Sequence, residues 1–158
     1  MKQAKRQLAG SGEALPSGSI GESKFQASTG SFTTATTELV FGNITGASLV
    51  LDPGVWSISG FFYASAPTFT GGAGILYFAE IYDLTASASI QQNWFSAVPL
   101  GVNAADARSG FIQKTVNVTS TKTIILRGAF QKAGGGETVT AGVAFPSGRS
   151  YIKADRIA

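Results

Sequence analysis

The stretch GVWSISGFFYASA, residues 54–66, decides the fold of this chain. Every second residue from Trp56 to Ala64 is apolar or glycine, whereas the residues between them begin with serines and become aromatic at Phe61. A period of two is typical of a β-strand that buries one face. The stretch therefore predicts a half-buried strand with aromatic side chains on both faces toward its end.

Segments of the same character lie on both sides of this strand, and turn chemistry separates them. Asp52-Pro53-Gly54 precedes it, where proline fixes φ and glycine accepts a positive φ. Residues 75–85 and 88–98 have the length of short helices, but Ile, Tyr, Phe and Trp dominate them and no helix cap is clear, which favours strands. The predicted strands are 19–27, 36–42, 47–54, 54–66, 75–85, 88–98, 108–118, 122–132, 137–145 and 150–157.

Short strands at a spacing of roughly 10–14 residues, without helical segments between them, predict an all-β sandwich or barrel. Breaks are expected at Gly42-Asn43 and at Thr45-Gly46, and a loop is expected over 66–74. The first eighteen residues differ in composition, because GSGEALPSG interrupts any regular element. We therefore predict an N-terminal arm at 1–18 and one β domain at 19–158.

The composition excludes several classes of function. The chain has no Cys and no His, so disulfides, thiolate metal sites and a Ser-His-Asp triad are all excluded. Charged residues make up 13% of the chain, below the usual ~25%. The net charge of +3 is too small to indicate nucleic-acid binding, and no apolar run reaches the ~18 residues that span a bilayer. Low charge suits a chain that hides surface in an assembly.

Sequence signals for chemistry are weak. Glu80 and Asp83 stand three apart, hence on opposite faces of a strand, and are interpreted as a solvated edge and a turn rather than a catalytic pair. No acidic loop suits calcium, so we expect neither metal nor cofactor. Five aromatic residues have two interpretations: a platform on which a sugar stacks, or part of the core or of a subunit interface. They are Phe69, Tyr77, Tyr82, Trp94 and Phe95, of which Phe69, Trp94 and Phe95 are the candidate ligand-facing residues.

Three stretches carry a resemblance to a known family. They are LVLDPGVWSISGFFYAS (49–65), VNVTSTKTIILRGAF (116–130) and the final SYIKADRIA (150–158). Together with LPSGSIGE (15–22), they resemble the compact trimeric jelly roll of the complement and tumour-necrosis-factor type, as found in phage virion proteins. The resemblance implies an antiparallel β-sandwich with jelly-roll topology and a homotrimer with aromatic and aliphatic side chains near its axis.

The resemblance further implies a structural protein of a bacteriophage virion and not an enzyme. The short arm, without heptads or a collagen-like repeat, suits a capsid decoration, cement or head-fibre protein on the outer surface of the capsid better than the tip of a longer fibre with a shaft. Its partner would be the major capsid protein, to which the arm would bind through Lys2, Lys5, Arg6 and Leu8. The alternative interpretation of the arm is a disordered terminus. The alternative function is a receptor-binding or carbohydrate-binding module of a tail fibre or spike.

The last strand mixes charged and apolar residues on both faces. Ile152 and Ala154 are expected to pack into the sandwich. The other residues of this strand are explained if it lies at a subunit interface. Their charged side chains would then pair across subunits and set the register of association. The predicted interface residues are Tyr151, Lys153, Asp155, Arg156 and Ile157.

Overall fold

The computed structural model describes residues 18–65, 68–70, 74–97, 108–134, 136 and 138–158, so the predicted arm lies outside the described residues apart from Gly18. The described residues form twelve β-strands: β1 (Ser23–Ala27), β2 (Phe32–Thr33), β3 (Gly42–Leu51), β4 (Gly54–Ala64), β5 (Thr68–Thr70), β6 (Ile75–Asp83), β7 (Ala88–Ala97), β8 (Arg108–Val118), β9 (Lys122–Lys132), β10 (Thr138–Ala141), β11 (Ala144–Phe145) and β12 (Tyr151–Arg156).

Eight of these strands form two four-stranded sheets. The first sheet has the order β1-β12-β4-β8, and the second has the order β3-β9-β6-β7. Two short ladders, β11-β2 and β10-β5, complete the described structure, and every one of these pairings is antiparallel. Because the chain passes repeatedly from one sheet to the other, the architecture is a jelly-roll sandwich. The predicted all-β antiparallel fold is confirmed.

Strand β4 sits as its alternation predicts. Trp56, Ile58, Phe62 and Ala64 are fully buried between the sheets, and Ser57, Ser59, Phe61 and Tyr63 lie on the outer face of the first sheet. Gly60 permits close packing of the second sheet, since a Cβ at this position would come within 2.7 Å of Leu126. Ile152 and Ala154 of β12 are also fully buried, as expected from the sequence.

The structure corrects the predictions around residues 36–46. Residues 36–39 form a turn instead of a strand, because Leu39 has a φ of 56°, which an extended chain does not allow. The Leu39 amide donates to the Phe130 carbonyl at 2.8 Å and so ties the turn to β9. The predicted breaks at 42–46 lie inside β3, where an irregularity between Asn43 and Ser48 absorbs Gly46 at a φ of 81°.

The predicted loop 66–74 also contains a short strand, β5, which pairs with β10. The sequence did not predict this strand, because its three β-prone residues are flanked on both sides by turn-forming residues. In the part of the chain that the structure describes, no helix has the length and apolar character needed to cross a membrane.

Candidate subunit interface and the face opposite it

Four aromatic side chains cross the outer face of the first sheet, one from each strand. Phe25 of β1 contacts Tyr151 of β12 at 5.2 Å between ring centroids, and Tyr151 stacks on Phe61 of β4 at 5.3 Å and 19°. Phe111 of β8 is the direct cross-strand partner of Phe61. We call Phe25, Tyr151, Phe61 and Phe111 the aromatic ladder.

The aromatic ladder leaves apolar surface open to solvent in the single chain. Phe25 is 59% exposed and Phe111 is 50% exposed. Aromatic residues are enriched in the buried centre of protein interfaces, whereas isolated exposed apolar residues need no explanation. The arrangement identifies this face as the candidate interface.

Polar groups border the aromatic ladder on the same face. Lys153 and Asp155 form an ion pair within β12, with Nζ 2.8 Å from Oδ2. Next to them, the Gln113 side-chain amide donates to the Ser57 hydroxyl at 2.9 Å. On the other side of the ladder, two residues after Phe61 on β4, the Tyr63 ring lies 4.8 Å from the Arg149 guanidinium. An apolar centre with a polar border is the usual anatomy of an interface.

The structure brings three of the predicted interface residues together. Tyr151, Lys153 and Asp155 lie on the outer face of β12, beside the aromatic ladder. Arg156 lies on the opposite side of the strand, where it donates to the Pro53 carbonyl at 2.6 Å and stands over the buried Trp56 ring. Ile157 follows β12 and is half exposed. The pairing of these charges across subunits stays a prediction, although Lys153 and Asp155 already pair within one chain.

The ladder residues Phe25, Phe61 and Phe111 were missing from the sequence-based interface. The signal for Phe61 was present, since it lies on the second face of an alternating strand. Phe25 and Phe111 are each the only aromatic residue of their strand, so the sequence alone did not indicate that they would lie next to other rings. Only the register of the four strands places Tyr151, Phe61 and Phe111 in one row and Phe25 diagonally next to Tyr151.

The neighbours of the Asp155 carboxylate lower its pKa. Burial raises the pKa of Asp155, but hydrogen bonds from Lys153 and Ser23 and the charge of Lys153 outweigh that effect, so the pKa lies below its ordinary value of 3.8. A lowered carboxyl pKa stabilises the folded state above the ordinary pKa, and this contribution is lost as the pH falls through the folded-state pKa.

We therefore expect Asp155→Asn to melt at a slightly lower temperature than the parent protein near neutral pH. The difference should have its full size above the ordinary pKa of 3.8, shrink below it, and vanish once the pH has fallen through the lower folded-state pKa, because the side chain is then protonated in both states. The effect is small, since this carboxylate is partly exposed and screened by water. Paired thermal melts across the acidic range measure it. A difference that stays constant to the lowest pH would contradict the assigned ion pair.

The outer face of the second sheet carries the predicted ligand-facing aromatics only in part. Trp94 on β7 is 62% exposed on this face. Phe95, the next residue, points into the sandwich and packs on Phe62 at 4.6 Å between ring centroids, which corrects its prediction as a ligand-facing residue. Phe69 lies on β5, but its side chain lies outside what the structure describes. Lys2, Lys5, Arg6 and Leu8 also lie outside the described residues.

The structure corrects the interpretation of Glu80 as a solvated edge residue. Its side chain is 3% exposed and lies 3.1 Å from the Arg127 guanidinium. Asp83 does occupy a turn, where its carboxylate accepts from the Ala86 amide at 2.9 Å. Among the residues that the structure describes, no group of three or more acidic side chains is positioned to hold a metal ion.

No known protein family and no curated protein sequence matches this chain. Among solved structures, a tumour-necrosis-factor protein, Eiger from S. frugiperda, is similar over 86% of this chain and 92% of its own, with a TM-score of 0.53 and 9% identity. The Gx strain of infectious bursal disease virus gives a structure with a TM-score of 0.46 and 14% identity over 89% of this chain. The enzymatically active domain of tailspike protein 4 of bacteriophage CBA120 has a TM-score of 0.31 and 10% identity over 85% of this chain.

These likenesses concern the fold. The match to Eiger extends over most of both chains, and it shows that the sandwich has a jelly-roll fold similar to that of Eiger. This chain spans 38% of the length of the bursal disease virus chain and 19% of the tailspike chain that it matches.

Proposed function

We propose that this chain is a non-enzymatic structural protein of a virion, a homotrimer that decorates the outer surface of a phage capsid. The observation that carries the self-association is the aromatic ladder, four neighbouring rings of which Phe25 and Phe111 are at least half exposed in the single chain. A threefold arrangement of the first sheet about an axis would cover three copies of the ladder at once. The virion location rests on the sequence resemblance to phage proteins with this fold.

The proposed role is to stabilise the capsid by binding to its assembled form. A ligand that binds the shell and not its released subunits shifts the equilibrium toward the shell. Three arms on one trimer raise the avidity without strong individual contacts. The first described residue after the proposed anchor is Gly18, whose amide donates to the Glu22 carboxylate at 2.7 Å, so the chain is tied to the domain at this residue.

Virions that lack this protein are expected to release their DNA at a lower temperature than virions that carry it. The measurement is DNA release on heating, followed by a dye that does not enter intact capsids. A matched control is virions reloaded with purified protein, which should regain the parental release temperature. Equal release temperatures for all three preparations would refute the stabilising role.

Deletion of residues 1–17 tests the anchor separately and leaves the Gly18 contact in place. The shortened protein should keep its oligomeric mass but no longer sediment with capsids. If it binds capsids as well as the full chain does, the proposed anchor residues Lys2, Lys5, Arg6 and Leu8 have no role in attachment.

A further inference from the structure

The outer face of the second sheet presents one large exposed ring beside a row of polar groups. Trp94 on β7 lies directly opposite Phe78 of β6. Gln92, two residues earlier on the same face of β7, lies directly opposite Glu80. Two residues along a strand correspond to roughly 7 Å. An exposed indole therefore stands next to a side-chain amide on a strand at the edge of the sheet.

The polar groups on this face are held in place. The Gln92 amide donates to Glu80 Oε1 at 2.7 Å, and Arg127 Nη1 lies 3.1 Å from Glu80 Oε2. The Arg127 guanidinium also lies 4.3 Å from the Tyr82 ring and donates to the Phe41 carbonyl at 2.9 Å. Side chains that are already fixed lose little entropy when a ligand binds, and this favours recognition of a small polar molecule.

The charges on this face are paired. Glu80 pairs with Arg127 at 3.1 Å, and these two are the charged residues of β6 and β9 that the register places on this face. A face whose two opposite charges pair offers no net attraction to an anion or a cation. It complements a neutral ligand with many hydroxyl groups and one apolar face.

We infer that this face, around Trp94 and Gln92, binds a neutral hexopyranose unit of a glycan. The C–H face of the sugar ring would stack on the indole, which buries apolar surface on both partners. Its hydroxyl groups would bond to the Gln92 amide, which has donor and acceptor capacity beyond its bond to Glu80. The Glu80–Arg127 pair is a positioning element, because it fixes the orientation of Gln92.

The binding site belongs to a single chain, and only its threefold display rests on the proposed trimer. The candidate interface occupies the outer face of the first sheet, whereas Trp94 lies on the outer face of the second sheet. A trimer formed through the first sheet therefore leaves three copies of the Trp94 face open. Weak single sites presented three at a time bind a glycan-coated surface much more firmly than one site does.

Tryptophan fluorescence offers a direct test, because the chain has two tryptophans in opposite environments. Trp56 is fully buried and Trp94 is exposed, so a sugar that stacks on the indole changes only the Trp94 emission. The probes are methyl glycosides of glucose, galactose, mannose and N-acetylglucosamine, and the corresponding linear tetrasaccharides. We expect a saturable change for at least one of them, with a Kd on the order of 1 mM.

Variants then assign the site by saturation-transfer NMR on the same sugar. Trp94→Ala should weaken binding roughly tenfold or more, Trp94→Phe should retain part of it, and Gln92→Ala should weaken it less than Trp94→Ala does. Phe111→Asp, on the first sheet, should leave the Kd of the single site unchanged even where it changes the oligomeric mass. This variant separates failure of the glycan site from failure of the proposed trimer.

Two results would overturn the inference. One is the absence of saturable binding for every sugar of the panel, or the same affinity for Trp94→Ala as for the parent protein. The other is a fall in oligomeric mass on Trp94→Ala, which would mean that another copy of the chain covers this face.

Discussion

Phe111→Asp is expected to convert a trimer of about 49 kDa, three times the chain mass of 16.3 kDa, into a monomer. Phe111 is half exposed in the single chain, so the change leaves the core of the sandwich intact. In the proposed trimer, the new carboxylate would be buried against the aromatic ladder without a partner, which costs several kcal/mol for one ion. A penalty of about 4 kcal/mol over the whole trimer already weakens association roughly a thousandfold.

Light scattering coupled to size exclusion measures this change at micromolar protein concentration. Trp94→Asp is the matched control, because it introduces the same charge at an aromatic residue of similar exposure on the other sheet. The control should remain trimeric. A Phe111→Asp protein that is as firmly trimeric as the parent would place the subunit interface elsewhere, and a parent protein that is itself monomeric would remove the basis of the proposed assembly.

Trp56→Ala is expected to destabilise the fold by about 3–5 kcal/mol, the range for truncation of a large buried aromatic residue. Trp56 is fully buried at the end of the core, and its indole N–H donates to the Asp52 carbonyl at 2.9 Å. Lys24 and Arg156 stand over its ring at 5.5 and 5.7 Å. The truncation therefore leaves a cavity, removes the indole hydrogen bond to Asp52 and leaves two cations without their aromatic partner.

For a domain of this size, the loss corresponds to a fall in Tm of roughly 6–20 °C. Differential scanning calorimetry at one fixed protein concentration measures it, since the Tm of an oligomer depends on concentration. Trp94→Ala serves as the control and should change stability by no more than about 0.5 kcal/mol, because its ring is exposed. Equal Tm values for Trp56→Ala and the control would contradict the position of Trp56 in the core.

The sequence predicted the strands whose pattern is strong. The predicted segments 108–118 and 122–132 coincide with β8 and β9, and the alternation of 54–66 assigned each face of β4 correctly. It failed at Leu39, which lies in a segment with several β-prone residues but adopts a positive φ in a turn that is tied to β9. Propensity is a local quantity, and a tertiary hydrogen bond overrides it.

The candidate interface could be predicted only along one strand. The mixed faces of 150–157 pointed to Tyr151, Lys153 and Asp155, and these residues do share the outer face of the first sheet. Arg156 could not be assigned from the sequence, because its contact with the Pro53 carbonyl joins segments more than one hundred residues apart. The same holds for Phe95: its burial on Phe62 depends on how the second sheet lies over the first.

The position of β12 inside the first sheet has a consequence for the order in which the chain is synthesised. Phe25 of β1 pairs with Lys153, and Lys153 pairs in turn with Ser59 of β4. On the ribosome, β1 and β4 emerge long before β12 exists, so the sheet has a gap at its centre until residue 156 has been translated. Two unpaired strand edges and part of the aromatic ladder face the crowded cytoplasm during that interval. The nascent chain is thus most prone to aggregate just before its fold is completed.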